Sequence, residues 1–258
     1  MAVAIYAGFK WLTFAISKTA RTANWGKSLG YLFSWTGMDA EQFFANTAPI
    51  EPPRWSEWVW SLAQLMIGFW LLIGDAPQLI DSHPLLAGWV AMTGIVSILH
   101  FGVSHLLSLV WRSFGVNAQH IMHKPLLARS VSEFWGKRWN LAFRDVMHGF
   151  VFRPLAPMVG LKWATAATFF ASGVIHDCVI SFTGRGGWGW PTLYFLIQPA
   201  AMFIERSRFG RRIGLGRGLI GWLFALAVVV GPAGLLFHGP FIEHVVVPMV
   251  RAMQDSGL

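Results

Sequence analysis

The stretch "KWATAATFFASGVIHDCVISF", residues 162–182, decides the fold class. Its only side chains with a formal charge at neutral pH are Lys162 and Asp177, and the residues between them are apolar or small apart from His176. A helix of about 20 mainly apolar residues is long enough to cross the hydrocarbon core of a bilayer. The stretch therefore predicts a membrane-spanning helix.

Apolar runs of this kind recur along the chain, and the composition agrees with them. Of the 258 residues, 55% are hydrophobic and 12% are charged, whereas roughly a quarter of the residues of a soluble domain are charged. The predicted spans are 3–17, 58–74, 85–111, 158–182, 191–204 and 218–236. We expect an all-α, multi-pass transmembrane bundle of about 6–8 membrane helices. It would form a single membrane-embedded domain over residues 1–258.

The net charge of +8 is concentrated in segments between the predicted spans. Residues 18–57, 112–154 and 205–217 are rich in Lys and Arg, whereas 75–84 contains neither and 183–190 contains one Arg. Cytoplasmic loops of membrane proteins carry such an excess of Lys and Arg. The three basic segments are therefore predicted to be cytoplasmic, where part of their charge can attract anionic membrane lipids or an anionic substrate. No nucleic-acid partner is predicted, and the sequence indicates no oligomeric state.

A second informative stretch is "SVSEFWGKRWN", residues 130–140. Ser130 and Glu133 have the S-x-x-E spacing of a capping box, which predicts that a helix begins here and runs to about His148. At 100° per residue, the predicted apolar face carries Val131, Trp135, Trp139, Ala142 and Val146. The predicted polar face carries Glu133, Lys137, Asn140, Arg144 and His148. The pattern predicts an amphipathic cytoplasmic helix near 131–148, and a simple interfacial anchor is one interpretation of it.

A polar stripe lies inside the span that holds the opening stretch. Thr165, Thr168, Ser172 and His176 fall on one helical face. Ionisable groups at membrane depth usually face the interior of a bundle, and a neutral histidine can accept a proton there. A stripe that only packs against another helix remains an alternative. The side chain of Asp177, the next residue, points about 100° around the helix axis from that of His176. We therefore expect Asp177 to contact a neighbouring helix.

The histidines suggest a metal site that further inspection of the sequence excludes. His100 and His105, followed by His120 and His123, resemble parts of the histidine boxes of membrane di-iron enzymes. The sequence has no adjacent pair of histidines, and Lys124 occupies a position where the second box needs one. The single cysteine, Cys178, excludes an internal disulfide or a multi-cysteine metal site. No metal site is predicted.

Two of the motifs together resemble a known family. "EFWGKRWN" (133–140) resembles the tryptophan-rich, asparagine-ended motif of the wax-synthase branch of the membrane-bound O-acyltransferases (MBOAT). "FFASGVIHD" (169–177) resembles the histidine-bearing membrane helix of the same branch. Further likeness is carried by "LGYLFSWTGMDAEQFF" (29–44), "VFRPL" (151–155) and "PTLYFLIQP" (191–199). The resemblance extends over residues 29–210.

The resemblance implies an acyl-CoA donor, a hydroxyl acceptor, and an active site with one asparagine and one histidine, which fall on Asn140 and His176. His176 is expected to act as the general base that removes the hydroxyl proton of a lipophilic alcohol. Asn140 is expected to stabilise the oxyanion or to orient the thioester. Apart from acyl-CoA as co-substrate, no cofactor is expected. A multi-pass membrane protein without catalytic activity, or a transporter, remains the alternative.

Four further residues are predicted to bind substrate. Lys137, Arg138 and Arg144 are cations that can meet the phosphates of CoA. Trp139 completes the predicted substrate-binding set. A role of the three cations as ordinary surface charge remains equally open.

Overall fold

Helices form the regular structure of residues 1–45 and 50–256, which this computed structural model describes, and no strand occurs among them. The first helices are α1 (Ala2–Ile16), α2 (Trp25–Ser34), α3 (Ala40–Phe44), α4 (Trp55–Leu79) and α5 (Pro84–Ser113). Next come α6 (Val131–Glu133, continuing as a π-helix over Phe134–Arg138), α7 (Leu141–Gly184), α8 (Trp190–Arg206) and α9 (Arg208–Arg212). The chain ends with α10 (Gly218–Leu236) and α11 (Gly239–Phe241, continuing through Ile242–Val246 and Val247–Asp255). Two 3₁₀ turns, Ala20–Thr22 and Pro125–Leu127, lie between these helices.

Among the residues that the structure describes, four helices, α4, α5, α7 and α10, are long and apolar enough to cross a membrane. They contain the predicted spans 58–74, 85–111, 158–182 and 218–236. The other two predicted spans correspond to α1, with 15 residues, and α8, with 17 residues, which are shorter. The all-α membrane architecture is therefore supported, whereas a total of six to eight spans is not confirmed.

Helix α7 is two helices joined at Gly160. This residue has φ 79° and ψ 162°, which lie outside the helical region, and glycine adopts a positive φ without the steric cost of a Cβ. The predicted span 158–182 corresponds mainly to the part after Gly160. The part before it includes residues 141–154, which the sequence assigned to a cytoplasmic loop and which are helical.

Large apolar side chains cover the outside of these long helices. Met66 and Trp70 on α4 are 73% and 69% exposed, Trp163 on α7 is 73% exposed, and Leu219 on α10 is 68% exposed. Apolar surface of this extent is unfavourable in water but suits contact with lipid tails. An integral membrane protein accounts for both the helix lengths and this surface.

Helices α7, α8 and α10 pack closely together. A Cβ on Gly173 of α7 would lie 2.6 Å from the Cα of Thr192, so the backbones of α7 and α8 approach each other there because glycine has no side chain. Tyr194 of α8 donates a hydrogen bond to the carbonyl of Val229 on α10 (3.0 Å). These contacts fix the part of α7 that carries His176.

A second buried cluster supports the start of α7. The aromatic side chains of Tyr31 and Phe43 are fully buried, with their ring centroids 5.3 Å apart. Ile121 and Met122, from the segment between α5 and α6, belong to the same cluster, as does Ala142 of α7. The N-terminal helices therefore hold the segment that precedes α6 against the beginning of α7.

Candidate active site

The helix predicted over residues 131–148 is interrupted at the proposed catalytic asparagine. The π-helix ends at Arg138, Trp139 is extended (φ −105°, ψ 127°), and Asn140 is left-handed (φ 39°, ψ 61°). Helix α7 then begins at Leu141. The prediction of one continuous amphipathic helix, with Asn140, Lys137 and Arg144 on a common face, is therefore wrong.

The predicted capping box forms only in part. The hydroxyl of Ser130 accepts a hydrogen bond from the backbone N–H of Glu133 (2.8 Å), as expected. The carboxylate of Glu133 accepts instead from the N–H of Arg129 (2.7 Å). Buried Glu205 on α8 accepts the N–H of Val131 (2.7 Å), so a neighbouring helix satisfies an N–H group at the start of α6.

Asn140 has a local structural role as well as a position suited to chemistry. Its Oδ1 accepts a hydrogen bond from the N–H of Phe143 (3.2 Å), which caps the start of α7. Leu141 donates its N–H to the carbonyl of Ile121 (2.9 Å), and Asn140 donates its own to the sulfur of Met122 (3.1 Å). Asparagine tolerates the left-handed region better than other residues with a Cβ. Because Oδ1 is used by the cap, the Nδ2 amide is the donor end of this side chain.

His176 is oriented by its own helix. Its Nδ1 lies 2.7 Å from the carbonyl oxygen of Ser172, one turn earlier. A carbonyl only accepts hydrogen bonds, so Nδ1 carries the hydrogen of the neutral ring and Nε2 keeps a lone pair. The rings of Phe195 and Phe143 pack against the imidazole, with centroid separations of 4.4 Å and 5.5 Å. This environment holds a proton-accepting nitrogen among aromatic groups.

Phe143 contacts both predicted catalytic residues. Its backbone N–H is bound by Asn140, and its ring meets His176 edge to face. Neither Asn140 nor His176 lines the two cavities described below. Phe143 therefore links the two predicted catalytic residues.

Asp177 contacts a neighbouring helix, as its position on α7 predicts. Its carboxylate accepts hydrogen bonds from the N–H groups of Gly189 (2.9 Å) and Thr192 (3.1 Å) at the start of α8, and from the Thr192 hydroxyl. Ser181 also donates to it (2.8 Å) and lies 3.1 Å from buried His238. A carboxylate at a helix N-terminus is favourable because of the helix dipole. Asp177 therefore joins α7 to α8 beside the proposed base.

The three predicted CoA-binding cations line one open cavity of about 420 Å³. We call it the basic cavity; its walls are His123, Glu133, Lys137, Arg138, Leu141 and Arg144. Lys137 is exposed. A second cavity of about 330 Å³ adjoins it and shares His123, Leu141 and Arg144.

Two of the three cations also hold the local backbone. Arg138 pairs with Glu133 (Nε–Oε1 2.7 Å) and donates to the carbonyl of His123 (3.2 Å). Arg144 pairs with Asp145 and donates to the carbonyl of Gly136 (2.6 Å). Exposed Lys137 is therefore better placed than Arg138 or Arg144 to bind an incoming anion.

The electrostatics of Glu133 follow from this network. Burial raises the pKa of its carboxyl, but hydrogen bonds from the Arg129 N–H and from the Arg138 guanidinium lower it by more. The pKa of Glu133 therefore lies below its ordinary value, and the ion pair with Arg138 persists at neutral pH.

The two tryptophans of the motif pack inward. Trp139 stacks on Phe134 and His100, with centroid separations of 5.4 Å and 5.9 Å. Trp135 donates from Nε1 to Oε1 of Gln198 on α8 (3.0 Å). These two side chains therefore contact other helices, which agrees with a face toward the bundle and not with a simple interfacial anchor. Trp139 does not line the basic cavity.

Sequence reasoning missed the aromatic residues around His176. Phe195 lies within the "PTLYFLIQP" stretch that carries the family resemblance, so its motif was a signal. No motif pointed to Phe143. Its position three residues after Asn140 is informative only once the helix is known to begin again at Leu141.

Comparison with known proteins agrees with the motifs. Residues 118–197, which contain Asn140 and His176, match the model of the membrane bound O-acyl transferase family. Probable long-chain-alcohol O-fatty-acyltransferase 7 of Arabidopsis thaliana is 31% identical over 147 residues, which is 50% of this chain and 42% of that protein. Long-chain-alcohol O-fatty-acyltransferase of Simmondsia chinensis is 26% identical over 144 residues, or 51% of this chain and 41% of that protein.

A sterol-directed relative also matches over a shorter stretch. Acyl-CoA--sterol O-acyltransferase 1 of Arabidopsis thaliana is 32% identical over 82 residues, which is 29% of this chain and 24% of that protein. The chain thus spans less than half the length of the curated relatives it matches. The predicted resemblance is confirmed as a similarity: residues 118–197 match the family model, and the matched relatives include long-chain-alcohol O-fatty-acyltransferases.

Proposed function

We propose that this protein is a membrane-bound O-acyltransferase that moves an acyl group from acyl-CoA to the hydroxyl of a lipophilic alcohol. The observation that carries the proposal is the state of His176. Its Nδ1 is held by the Ser172 carbonyl and its Nε2 lone pair is left to accept a proton, within the segment that matches the family. A base of this kind is what an alcohol needs to attack a thioester.

In the proposed reaction, the alcohol oxygen attacks the thioester carbonyl carbon while Nε2 of His176 takes the hydroxyl proton. The carbonyl oxygen becomes an oxyanion, to which the Nδ2 amide of Asn140 donates a hydrogen bond. The carbon–sulfur bond then breaks, and the departing CoA thiolate takes the proton from the imidazolium. The Ser172 carbonyl favours the imidazolium, because the hydrogen bond from Nδ1–H is stronger when the ring is positively charged.

The donor is proposed to approach through the basic cavity. CoA is an anion with several phosphate charges, and Lys137, Arg138 and Arg144 line this opening. Residues 18–57, 112–154 and 205–217 are proposed to face the cytoplasm, which supplies acyl-CoA. The acyl chain and the lipophilic alcohol would occupy apolar regions open to the bilayer, so membrane lipids surround the site.

The acceptor is proposed from the relatives, which are named for long-chain alcohols and for sterols. Purified protein in lipid nanodiscs would be given labelled acyl-CoA with a long-chain alcohol, a sterol or a water-soluble alcohol, and the products would be identified by mass spectrometry. We expect an ester of the long-chain alcohol or of the sterol. If the chain binds acyl-CoA but forms no ester with any of them, it is a non-catalytic or transport protein.

A further inference from the structure

The connection between α8 and α10 carries a positive charge that the proposed reaction does not use. Residues 206–217 contain five arginines and no acidic residue. All five are exposed: Arg206, Arg208, Arg211, Arg212 and Arg217. None of them forms an ion pair with an acidic side chain among the residues that the structure describes. The connection can therefore bind an anion from outside the protein.

Hydrogen bonds give this connection a defined shape. The hydroxyl of Ser207 caps α9 by accepting the N–H of Gly210 (3.0 Å). Leu215 donates its N–H to the carbonyl of Gly210 (2.9 Å), which closes the turn after α9. The guanidinium of Arg217 donates to the carbonyl of Arg211 (3.1 Å). A backbone that is already ordered loses less entropy when a ligand binds.

Cationic and apolar side chains occupy adjacent faces of α9. At 100° per residue, Arg208, Arg211 and Arg212 lie within about 100° of one another. Phe209 and Ile213 lie on the neighbouring face and are 67% and 42% exposed. An apolar face beside a cationic face is the pattern of a helix in the membrane interface, where apolar side chains reach the acyl boundary and cations stay at the headgroups.

Further exposed apolar side chains adjoin the connection at the start of α10. Leu219 and Ile220 are 68% and 54% exposed, and a Cβ on Gly214 would lie 3.6 Å from Cδ1 of Ile220. Trp222 donates from Nε1 to the carbonyl of Leu126 (2.7 Å), whose side chain is 69% exposed. The arginines therefore lie next to the end of a helix that can cross the membrane, beside its lipid-facing surface.

We infer that residues 206–217 form a binding surface for anionic phospholipids of the adjacent leaflet. Guanidinium groups bind phosphate through charge-assisted hydrogen bonds, which are often bidentate. A zwitterionic headgroup carries a cation that offsets its phosphate, so an anionic headgroup fits an unpaired arginine cluster better. Phe209 and Ile213 would contact the acyl chains of the same lipid. The surface is separate from the proposed donor site, because none of these arginines lines the basic cavity.

Lipid binding can be measured without any assay of acyl transfer. The full chain in detergent would be titrated with phosphatidylglycerol or phosphatidylcholine of identical acyl chains, and the bound lipids counted by native mass spectrometry. We expect tighter binding of phosphatidylglycerol, with a preference that shrinks as the concentration of ammonium acetate rises. The variant Arg208→Gln/Arg211→Gln/Arg212→Gln should bind phosphatidylglycerol at least about fivefold more weakly, the contribution expected of even one cation at an anionic leaflet.

A matched control removes the same charge from another basic segment. Lys18, Arg21 and Arg54 are exposed in the predicted cytoplasmic segment 18–57. The variant Lys18→Gln/Arg21→Gln/Arg54→Gln should keep the wild-type affinity for phosphatidylglycerol. Phe209→Ala keeps every charge and should weaken the binding of both lipids, because the acyl chains that its ring would contact are the same in both.

Three results would overturn the inference. One is a wild-type protein that binds phosphatidylglycerol no more tightly than phosphatidylcholine. Another is an equal loss of affinity in the two triple variants. The third is displacement of bound phosphatidylglycerol by free coenzyme A in a one-to-one exchange, which would assign the arginines to a soluble anion. If the arginine variant fails to fold, the first and third measurements still decide, because they use the wild type.

Discussion

The ring of Phe143 meets the ring of His176 edge to face, with 5.5 Å between the centroids. The backbone N–H of the same phenylalanine is bound by Oδ1 of Asn140. The left-handed turn that starts α7 therefore positions both the proposed oxyanion donor and an aromatic contact of the proposed base. A change in this turn is expected to affect both residues.

Substitutions of Asn140 separate its chemical role from its capping role. Asn140→Asp keeps an oxygen that can cap the N–H of Phe143 but loses the Nδ2 donor. We expect turnover to fall by about 10²-fold, as when one oxyanion donor is removed, while the melting temperature stays near that of the wild type. Asn140→Ala loses both functions and should also unfold at lower temperature. An Asn140→Asp variant with wild-type turnover would restrict Asn140 to capping.

The cations of the basic cavity should act on the donor and not on the acceptor. Lys137→Ala should raise the KM for acyl-CoA several-fold, with an effect that shrinks as salt rises, because the interaction with phosphate is screened. Arg138→Ala and Arg144→Ala should also destabilise the protein, since these side chains hold backbone carbonyls. The KM for a lipophilic alcohol should hardly change in Lys137→Ala. Kinetics at two salt concentrations test this, and an unchanged KM for acyl-CoA in Lys137→Ala would make Lys137 an ordinary surface charge.

Asp177 is predicted to stabilise the junction of α7 and α8. Asp177→Asn removes the negative charge and one of the two acceptor oxygens that bind Gly189, Thr192 and Ser181. We expect a loss of about 1–3 kcal/mol in the free energy of unfolding, typical of a broken charge-assisted hydrogen bond. Thermal unfolding in detergent measures it, with Asp255→Asn at an exposed site of α11 as the control. Equal stability of the two variants would show that Asp177 is dispensable at this junction.

The proposed orientation of the protein in the membrane predicts from which side single introduced cysteines can be labelled. In a Cys178→Ala background, Lys137→Cys and Arg211→Cys should react with an impermeant maleimide from the same side of a sealed vesicle. Ser82→Cys, in the segment without Lys or Arg, should react from the opposite side. Labelling of the first two positions from opposite sides would contradict the assignment of 112–154 and 205–217 to the cytoplasm.

The sequence was sufficient for the features that depend on local composition. Four long helices coincide with predicted spans because hydropathy over about 20 residues determines them. The break at Asn140 was not predictable in this way. It depends on hydrogen bonds to Ile121 and Met122, which lie about 20 residues earlier, and a helical pattern in 131–148 contains no sign of them.

The candidate site was predicted in part. His176 and Asn140 stood out because an ionisable group within an apolar span and an amide among charges are unusual, and the family motifs point to the same residues. The contact of His120 with Glu57 was not predicted, because Glu57 is far away in sequence and reaches it only through the packing of α4 against α5. The partners of Trp135 and Trp139, Gln198 and His100, were not predicted for the same reason.

The most direct test of the central claim compares wild-type protein with His176→Ala in an assay of ester formation. Both would be purified in nanodiscs and given labelled acyl-CoA and a long-chain alcohol. His148→Ala, which changes an exposed histidine of α7, would be the matched control. We predict that the wild type and His148→Ala form the ester, whereas His176→Ala binds acyl-CoA and loses at least about 10²-fold in turnover, as expected for a missing general base. Ester formation by His176→Ala at the wild-type rate would contradict the account.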